Sequence, residues 1–299
     1  IAYASAYLKC HHPTEFACGL INSQPMGFYS NATLVHDAKR HGSRILPVHP
    51  HLSEWDCVME EGALRLGFRV VNGLGAEDAK ALIEKRKQQP FRNLPDFVSR
   101  TQLRLSVLQA LALSGAFLCF GREPRDALWD VLAYTSDLLK DDPRDSSPER
   151  QLSLFSKAPE SWISAEPNLK FSSLSYPETL QADYTAYSLS TQGHPMSALR
   201  LQRPDLPGAT SQWLKARGTN GQRISLAGMV IIRQRPPTAK GTCFATLEDE
   251  HGFIDLIFHA SIYEKFEETF WRASFFIVTG SLQVDGHAIS LIVKNLQPA

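Results

Sequence analysis

Residues 70–86 read VVNGLGAEDAKALIEKR, and this stretch decides how the first half of the chain folds. An apolar segment leads into the turn Gly73-Leu74-Gly75, and a sequence with helical spacing follows, with Ala79 placed to pack beside the turn. A glycine turn at a helix N-terminus exposes backbone N–H groups, and the helix dipole favours an anion there. Glycine also lets an anion approach the backbone closely, because it has no Cβ. The stretch therefore predicts a backbone anion site.

This order predicts a helix-hairpin-helix, a motif that binds a phosphate of the DNA backbone without reading the base sequence. An ordinary tight turn is the alternative. The segment LALSGAF at 111–117 is either a degenerate second hairpin or a helix that ends at a C-cap glycine, Gly115. We expect the DNA contact to come from the amides of two glycines and from three basic side chains: Gly73, Gly75, Lys80, Lys85 and Arg86.

Charge is distributed unevenly along this chain. The 299 residues carry a formal net charge of zero at pH 7, but the stretch from Gly62 to Arg125 holds eleven basic and five acidic residues. Such an excess suits a polyanionic partner. A solvated helix face has the same composition, so charge alone leaves both interpretations open.

Residues 139–175 are rich in Asp, Pro, Ser and Glu and predict a disordered linker. Inside it lies the pentapeptide QLSLF at 151–155. A glutamine amide beside large apolar side chains fits a short tethered peptide that docks in the cleft of a partner. The alternative is a segment that packs on its own domain. The expected contact residues are Gln151, Leu152, Leu154 and Phe155.

Residues 222–299 predict five strands with a helix between the third and the fourth, which is the order of an OB-fold. We expect basic side chains to follow a single-stranded backbone while an aromatic ring stacks on a base. Phenylalanines that alternate in strands are usually core residues, so only one of Phe244, Phe253 and Phe258 is expected to face outward. The candidate contact residues are Arg233, Arg235, Lys240 and Phe244.

The sequence disfavours several other chemistries. No apolar run reaches the length of a membrane span, and the five widely spaced cysteines suit reduced thiols in a cytoplasm. The segment CHHPTEFAC at 10–18 lacks the paired spacing of a zinc site, so we expect no metal and no cofactor in this chain. Polymerase or nuclease chemistry needs clustered carboxylates, and the acid-rich run at 137–149 has the composition of a linker. We therefore expect no catalytic residue in this chain.

The order of the motifs resembles a known family. The segments AYLKCHHPTEF, RILPVHPHLSEW, LRLGFRVVNGLG and PFRNLPDFVSRT come first, and QLSLF, YSLSTQGHPMSALR and the OB-fold strands follow. Over nearly its whole length the chain resembles the C-terminal part of a bacterial C-family DNA polymerase, of the DNA polymerase III alpha-subunit type. The forms HHPTEFACGLINSQPMGFYS, HDAKRHG and SLAGMVIIRQRPPTAKGTCFATLEDE are most similar to the error-prone, damage-tolerance branch.

The resemblance implies a multidomain α+β chain, a helical region with a helix-hairpin-helix followed by a C-terminal five-stranded OB-fold β-barrel. The PHP domain and the catalytic palm of the family have no counterpart in this sequence, so we expect a piece of a longer protein. The implied regions are the end of a fingers-like helical region at 1–60, a helix-hairpin-helix DNA-binding region at 61–138, the linker with a clamp-binding-like motif at 139–175, a connecting helical segment at 176–221 and the OB-fold at 222–299.

The function that the resemblance implies is binding of DNA and of the bacterial sliding clamp by part of an error-prone DNA polymerase in damage-induced mutagenesis and translesion synthesis. Its partners would be duplex DNA, single-stranded template, the clamp (through QLSLF) and other mutagenesis proteins in the cytoplasm, with no membrane. Magnesium is expected for nucleotidyl transfer by the parent protein. Two alternatives stay open: a non-catalytic adaptor that tethers repair factors to DNA, and an RNA-binding OB-fold protein of the anticodon-binding type.

Overall fold

The computed structural model describes residues 1–27, 29–140, 171–286 and 288–299. The chain divides into two compact units, the first formed by residues 1–45, 59–64 and 189–299 and the second by residues 46–58 and 65–188. QLSLF and most of the predicted linker lie outside the described residues, and the five predicted region boundaries stay predictions. No helix in the described ranges has both the length and the apolar character needed to cross a membrane.

Three helices open the first unit: α1 (Ala2–His11), α2 (Pro13–Asn22) and α3 (Asn31–Arg40). Helix α2 begins with a proline, which has the backbone angle of a first helical turn and no N–H to leave unpaired. Helix α3 is capped by Ser30, whose Oγ accepts a hydrogen bond from the Thr33 amide at 3.2 Å.

A small sheet follows, made of β1 (Ile45–Leu46), β2 (Val58–Glu60) and β3 (Ala63–Arg65). The strand order is β1-β3-β2, so β3 is the central strand. All three residues of β3 are buried, as expected for the middle of a sheet.

The second unit is mainly helical. Its core contains Phe97, whose ring lies edge-on to Phe91 at 4.8 Å and to Phe117 at 5.2 Å between centroids. Such aromatic contacts add to the free energy gained from burial alone. Its elements are a 3-10 turn at Phe68–Val70, α4 (Ala76–Gln88), α5 (Leu94–Thr101), α6 (Leu105–Leu113), a second 3-10 turn at Ala116–Phe120, α7 (Pro124–Lys140) and α8 (Tyr176–Tyr187).

Gly115 ends helix α6. It has a φ of +77°, and its amide donates to the Ala112 carbonyl oxygen at 3.1 Å. The residues after it form a 3-10 turn and not a further α-helix. This geometry matches the C-cap glycine, which was one of the two interpretations of LALSGAF.

The C-terminal part of the first unit is a closed barrel. Its strand order is β4-β5-β6-β8-β7, with β6 and β8 parallel and the other neighbours antiparallel. A helix lies between the third and fourth barrel strands, so the predicted OB-fold is confirmed. The elements from residue 189 onward are α9 (Pro195–Gln202), α10 (Ser211–Arg217), β4 (Arg223–Gln234), a 3-10 turn at Pro237–Ala239, β5 (Cys243–Asp249), β6 (Gly252–Phe258), α11 (Ala260–Arg272), β7 (Phe275–Asp285) and β8 (Ala288–Pro298).

Alternation along the strands builds the barrel core. On β6, Ile254, Leu256 and Phe258 point inward and are buried, whereas the residues between them face outward. Helix α10 is fixed to the barrel by Asp249, whose carboxylate accepts hydrogen bonds from the Ser211 amide at 2.5 Å and the Ser211 hydroxyl at 2.6 Å. Leu214 of the same helix is fully buried in the barrel core.

Candidate nucleic-acid interfaces

The predicted glycine turn stands immediately before helix α4. Gly73 has a φ of +82°, a left-handed conformation that favours glycine. Gly75 is the N-cap of α4 in an extended conformation, with φ at −81° and ψ at 157°. Ala79 is fully buried, as the sequence pattern predicts. Among the described residues no side chain caps this helix, so the amides of its first turn have no capping side-chain acceptor there.

Neighbouring elements hold the turn in place. The amide of Asn72 donates to the Ala186 carbonyl oxygen at 2.8 Å, and its side-chain amide donates to the Thr185 carbonyl oxygen at 2.8 Å. Both acceptors belong to helix α8. A Cβ built on Gly73 would lie 3.7 Å from Cγ2 of Val107, so the first turn of α6 is adjacent to the glycine turn.

The three basic residues predicted beside the turn lie in different environments. Lys80 is exposed, and its ammonium forms an ion pair with Glu77 at 2.9 Å. Lys85 donates to the Arg100 carbonyl oxygen at 2.6 Å, at the C-terminal end of α4. Only Lys80 is therefore both at the surface and in the half of the helix that starts at the turn. Its charge is offset by the acidic Glu77 in the first turn.

Arg86 is a structural residue. It is buried, and its guanidinium donates to the Ser53 carbonyl oxygen at 2.6 Å, to the Pro50 carbonyl oxygen at 3.2 Å and to the Glu54 carboxylate at 2.6 Å. These acceptors occupy both terminal nitrogens of the guanidinium group. The arrangement argues against a direct contact of Arg86 with a phosphate, contrary to the expectation from the sequence.

Arg104 is a further candidate for the phosphate contact. It is the N-cap residue of α6, three positions before Val107, the residue that a Cβ on Gly73 would meet. Arg104 is exposed, and its side chain forms no ion pair or hydrogen bond with any described residue. In the sequence it is one of eleven basic residues of the region. Only its position next to the turn distinguishes it.

A second candidate surface is a groove on the outside of the barrel. Phe244 on β5 is half-buried there, between its strand partners Gln234 on β4 and Ile257 on β6. Ile289 of β8 also lines the groove. The groove offers apolar surface and one half-buried ring, but the carboxylate of Asp255 lies in it and accepts a hydrogen bond from the Thr246 hydroxyl at 2.8 Å.

The three phenylalanines of β5 and β6 have different surroundings. Phe258 is fully buried in the core of the barrel. Phe253 also faces outward, so two of the three rings do and not one as expected, and the guanidinium of Arg40 lies 4.4 Å from its ring centroid. Phe244 is the one whose ring lines the open groove.

The basic residues predicted in the first barrel loop are partly used by the fold. Arg233 donates to the Phe270 carbonyl oxygen at 2.6 Å and also to the Ala273 carbonyl oxygen, and burial lowers its pKa. Arg235 lies over the ring of Tyr263, 4.6 Å from the centroid. Lys240 is exposed, in the left-handed conformation, and makes no ion pair with a described residue. Lys240 is thus the cation best placed to meet a nucleic-acid backbone.

Comparison with known proteins identifies the same two modules. Residues 42–127 match the helix-hairpin-helix motif family, and residues 224–299 match a family described as OB-fold nucleic acid binding domain. Among solved structures, asparaginyl-tRNA synthetase from Pyrococcus horikoshii aligns with 30% of this chain and 21% of its own, at 20% identity and a TM-score of 0.26. A replication protein A heterotrimer bound to single-stranded DNA aligns with 27% of this chain and 61% of its own, at 17% identity and a TM-score of 0.22.

Relatives with curated names match nearly the whole chain. Error-prone DNA polymerases from Brucella abortus and Dechloromonas aromatica are 36% and 37% identical to it, each over 99% of this chain and 27% of their own length. The error-prone DNA polymerase of Bdellovibrio bacteriovorus is 34% identical over 100% of this chain and 29% of its own length. The chain thus spans between a quarter and a third of the length of these relatives.

The chain joins a helix-hairpin-helix region to an OB-fold domain, and so belongs to the class of proteins built from nucleic-acid-binding modules. More narrowly, it is homologous along its whole length to a part of the error-prone DNA polymerases. The resemblance found in the sequence is confirmed.

Proposed function

We propose that this chain is the DNA-binding and clamp-binding C-terminal part of an error-prone DNA polymerase that acts in damage-induced mutagenesis and translesion synthesis. Homology over 99% of the chain to proteins of that name supports the proposal. The parent protein would transfer nucleotides with magnesium, and its catalytic carboxylates would lie outside this chain. The five cysteines are all free thiols, which supports a cytoplasmic location.

The glycine turn before α4 is the observation that carries the DNA-binding part of the proposal. It combines an uncapped helix N-terminus, a left-handed Gly73 and an exposed, unpaired Arg104 on the neighbouring helix. A phosphate oxygen accepts hydrogen bonds from uncapped helix amides and from a guanidinium group. We propose that Gly73, Gly75 and Arg104 bind one phosphate of duplex DNA, with Lys80 adding charge nearby.

The OB-fold would bind the single-stranded template beside the duplex. Phe244 would stack on a base, and Lys240 and Arg235 would meet the backbone. The carboxylate of Asp255 in the same groove weakens the field there. We therefore propose that the helix-hairpin-helix region supplies most of the affinity and the barrel a smaller share.

DNA binding is tested by titrating a fluorescent primer–template with the 299-residue chain at several salt concentrations. We expect Arg104→Ala to lower the affinity several-fold for every sequence tried and to reduce the salt slope by about one unit. Arg272→Ala removes the same charge from an exposed site on α11 and serves as the control. Equal losses in both variants would reject the proposed phosphate site, and tighter binding to structured RNA than to DNA would favour the anticodon-binding alternative.

Clamp binding is a separate proposal and rests on QLSLF alone. We expect micromolar binding to the bacterial sliding clamp by calorimetry, because short tethered peptides of this kind bind modestly. The double variant Leu154→Ala/Phe155→Ala should remove the binding and leave the affinity for DNA unchanged. If neither form binds the clamp, recruitment through QLSLF is wrong, and the adaptor alternative loses the same support.

A further inference from the structure

Three buried polar side chains converge in the first unit. They are His36 on α3, His194 just before α9 and Glu248 on β5, and their exposed fractions are 4%, 6% and 0%. One potential ligand atom from each lies within 4.8 Å of those of the other two. Both ring nitrogens of His36, Nε2 of His194 and Oε2 of Glu248 lack a hydrogen-bond partner among the described residues. Buried polar atoms usually have partners, so this cluster calls for an explanation.

Two histidines and a glutamate form a ligand set that zinc accepts. The hydrogen bonds of His194 argue against this role. Its Nδ1 accepts from the Met196 amide at 3.0 Å, so the proton of the neutral ring resides on Nε2, the atom that faces the cluster. A metal at Nε2 would force that proton onto Nδ1, against another N–H. The guanidinium of Arg40 also lies at the Glu248 carboxylate, 3.1 Å away, and would repel a cation.

The cluster is instead complete as a set of hydrogen-bond donors and acceptors. His194 offers one donor, Nε2–H, the uncharged His36 ring offers one N–H and one nitrogen lone pair, and Glu248 offers carboxylate oxygens. Nδ1 of His36 already lies 3.5 Å from Oε1 of Glu248, and the two imidazole rings are 4.6 Å apart between centroids. A small inward movement, or one bridging water, pairs these groups without an ion.

The same histidine positions helix α9. Its ring is the N-cap, and the Ser197 hydroxyl donates to its carbonyl oxygen at 2.6 Å. Met196, whose amide donates to His194, is fully buried in a cluster with Leu206 and with Ala227 of β4. Lys39 of α3 donates to the Thr191 carbonyl oxygen at 2.5 Å and holds the segment before the helix.

A second proton on His194 has no suitable place. It would bind at Nδ1 and face the N–H of Met196. The hydrogen bond that caps α9 would then be lost. Burial, together with the nearby His36, Arg40 and His251, lowers the pKa of His194 to about 2. The titratable and charged groups around it are His36 and Arg40 on α3, Glu248 on β5, and His251 in the β5–β6 turn with the Arg200–Glu250 ion pair beside it.

We propose that His194 is a proton-sensitive latch: its neutral ring caps α9 and donates into the His36–Glu248 pair, and proton uptake releases residues 189–202 from the barrel. In the released segment the imidazole is solvated and has its ordinary affinity for a proton. Acid therefore favours release. Neither the resemblance nor the two nucleic-acid interfaces predict this device, and it stands or falls independently of DNA binding.

The test is amide hydrogen exchange of residues 195–202 in the full chain between pH 7.5 and 5. We expect the protection factors of α9 to fall about tenfold per pH unit below about 6.5, because release is coupled to one proton. His194→Asn is the matched control, since an asparagine side chain caps a helix but does not titrate. In that variant the protection of α9 should not vary with pH. Ring 15N spectra of the unmodified chain should show His194 protonated at Nε2 only.

Three results would overturn the proposal. One is the same loss of protection with acid in His194→Asn. Another is protonation of the His194 ring at Nδ1 at neutral pH. The 15N spectra of the unmodified chain report this state, so the result does not depend on whether the variant folds. The third is stoichiometric Zn²⁺ binding by the unmodified chain that is lost in Glu248→Gln, which would make the cluster a metal site.

Discussion

Gly73 and Gly75 lie two residues apart in one turn, but the backbone constrains them differently. Gly73 has a positive φ that an L-amino acid adopts only with strain, whereas Gly75 has an extended conformation open to any residue. A Cβ on Gly75 would meet only Oδ2 of Asp78, at 3.8 Å. Gly75 is exposed, so among the described residues the backbone there is open to solvent.

Alanine at these two glycines should separate folding from binding. Gly73→Ala should lower the free energy of unfolding by about 1 kcal/mol because of its left-handed backbone. Gly75→Ala should cost about half as much, through the weaker N-cap, but reduce the affinity for duplex DNA at least about fivefold because a methyl group enters the phosphate site. Urea unfolding and the primer–template titration measure the two effects. Unchanged DNA affinity in Gly75→Ala would mean that no phosphate approaches this turn.

Arg86 illustrates why residue type and position in the chain do not define a binding residue. In the sequence it is equivalent to Lys80 and Lys85, one basic residue of the same helix. In the fold its side chain points to the carbonyl oxygens of Pro50 and Ser53, more than thirty residues earlier in the chain. That loop satisfies the guanidinium, so truncation of Arg86 would report on stability and not on DNA binding.

At the scale of elements, the barrel strands decide which aromatic ring is available. Period-two alternation places Phe258 inside, but it places both Phe244 on β5 and Phe253 on β6 outside. What separates the last two is the neighbour: the guanidinium of Arg40 lies on the ring of Phe253, and Phe244 lines the groove outside the barrel.

Truncation of the two outward rings should therefore affect different properties: DNA binding for Phe244 and stability for Phe253. Phe244→Ala should weaken binding of a single-stranded oligonucleotide by about 1–3 kcal/mol, the usual value of one base stacked on an aromatic ring. Phe253→Ala should leave that affinity unchanged but lower the unfolding midpoint, because it removes the surface on which Arg40 packs. Fluorescence titration with an oligothymidine and urea unfolding measure the pair. Equal losses of affinity in both variants would show that Phe244 makes no specific contact.

At the scale of the whole molecule, each of the two units contains a histidine whose pKa is lowered in the fold. Burial and the nearby Arg86 lower the pKa of His51 in the second unit, and burial with the nearby His36, Arg40 and His251 lowers that of His194 in the first unit. Unfolding returns both to an ordinary value near 6.5. The unfolded chain then binds more protons than the folded one below that pH, so the stability present above about pH 6.5 is lost as the pH falls.

We expect acid to destabilise both units in a range where the carboxylates are still ionised. With a folded pKa of about 2, His194 alone should cost the first unit about 2 kcal/mol at pH 5 relative to pH 7.5. Urea unfolding at the two pH values measures the loss, followed by fluorescence in a chain with Trp55, Trp129 and Trp162 replaced by phenylalanine, so that only Trp213 and Trp271 of the first unit report. His194→Asn should be less sensitive to acid by that amount. Stability that does not change between pH 7.5 and 5 would show that His194 is not buried as a neutral ring.

The sequence alone determined the two modules and their order. Helical spacing after a Gly-x-Gly turn, and five strands with one helix after the third, are local patterns, because periodicity and turn chemistry involve residues close together in the chain. Only the tertiary structure decided which side chains are available. Contacts between distant segments bury Arg86 and leave Arg104 exposed beside the glycine turn. They also place Arg40 on the ring of Phe253 and bring His36, His194 and Glu248 together. Burial and hydrogen-bond partners are properties of such contacts, so no local pattern in the sequence could specify them.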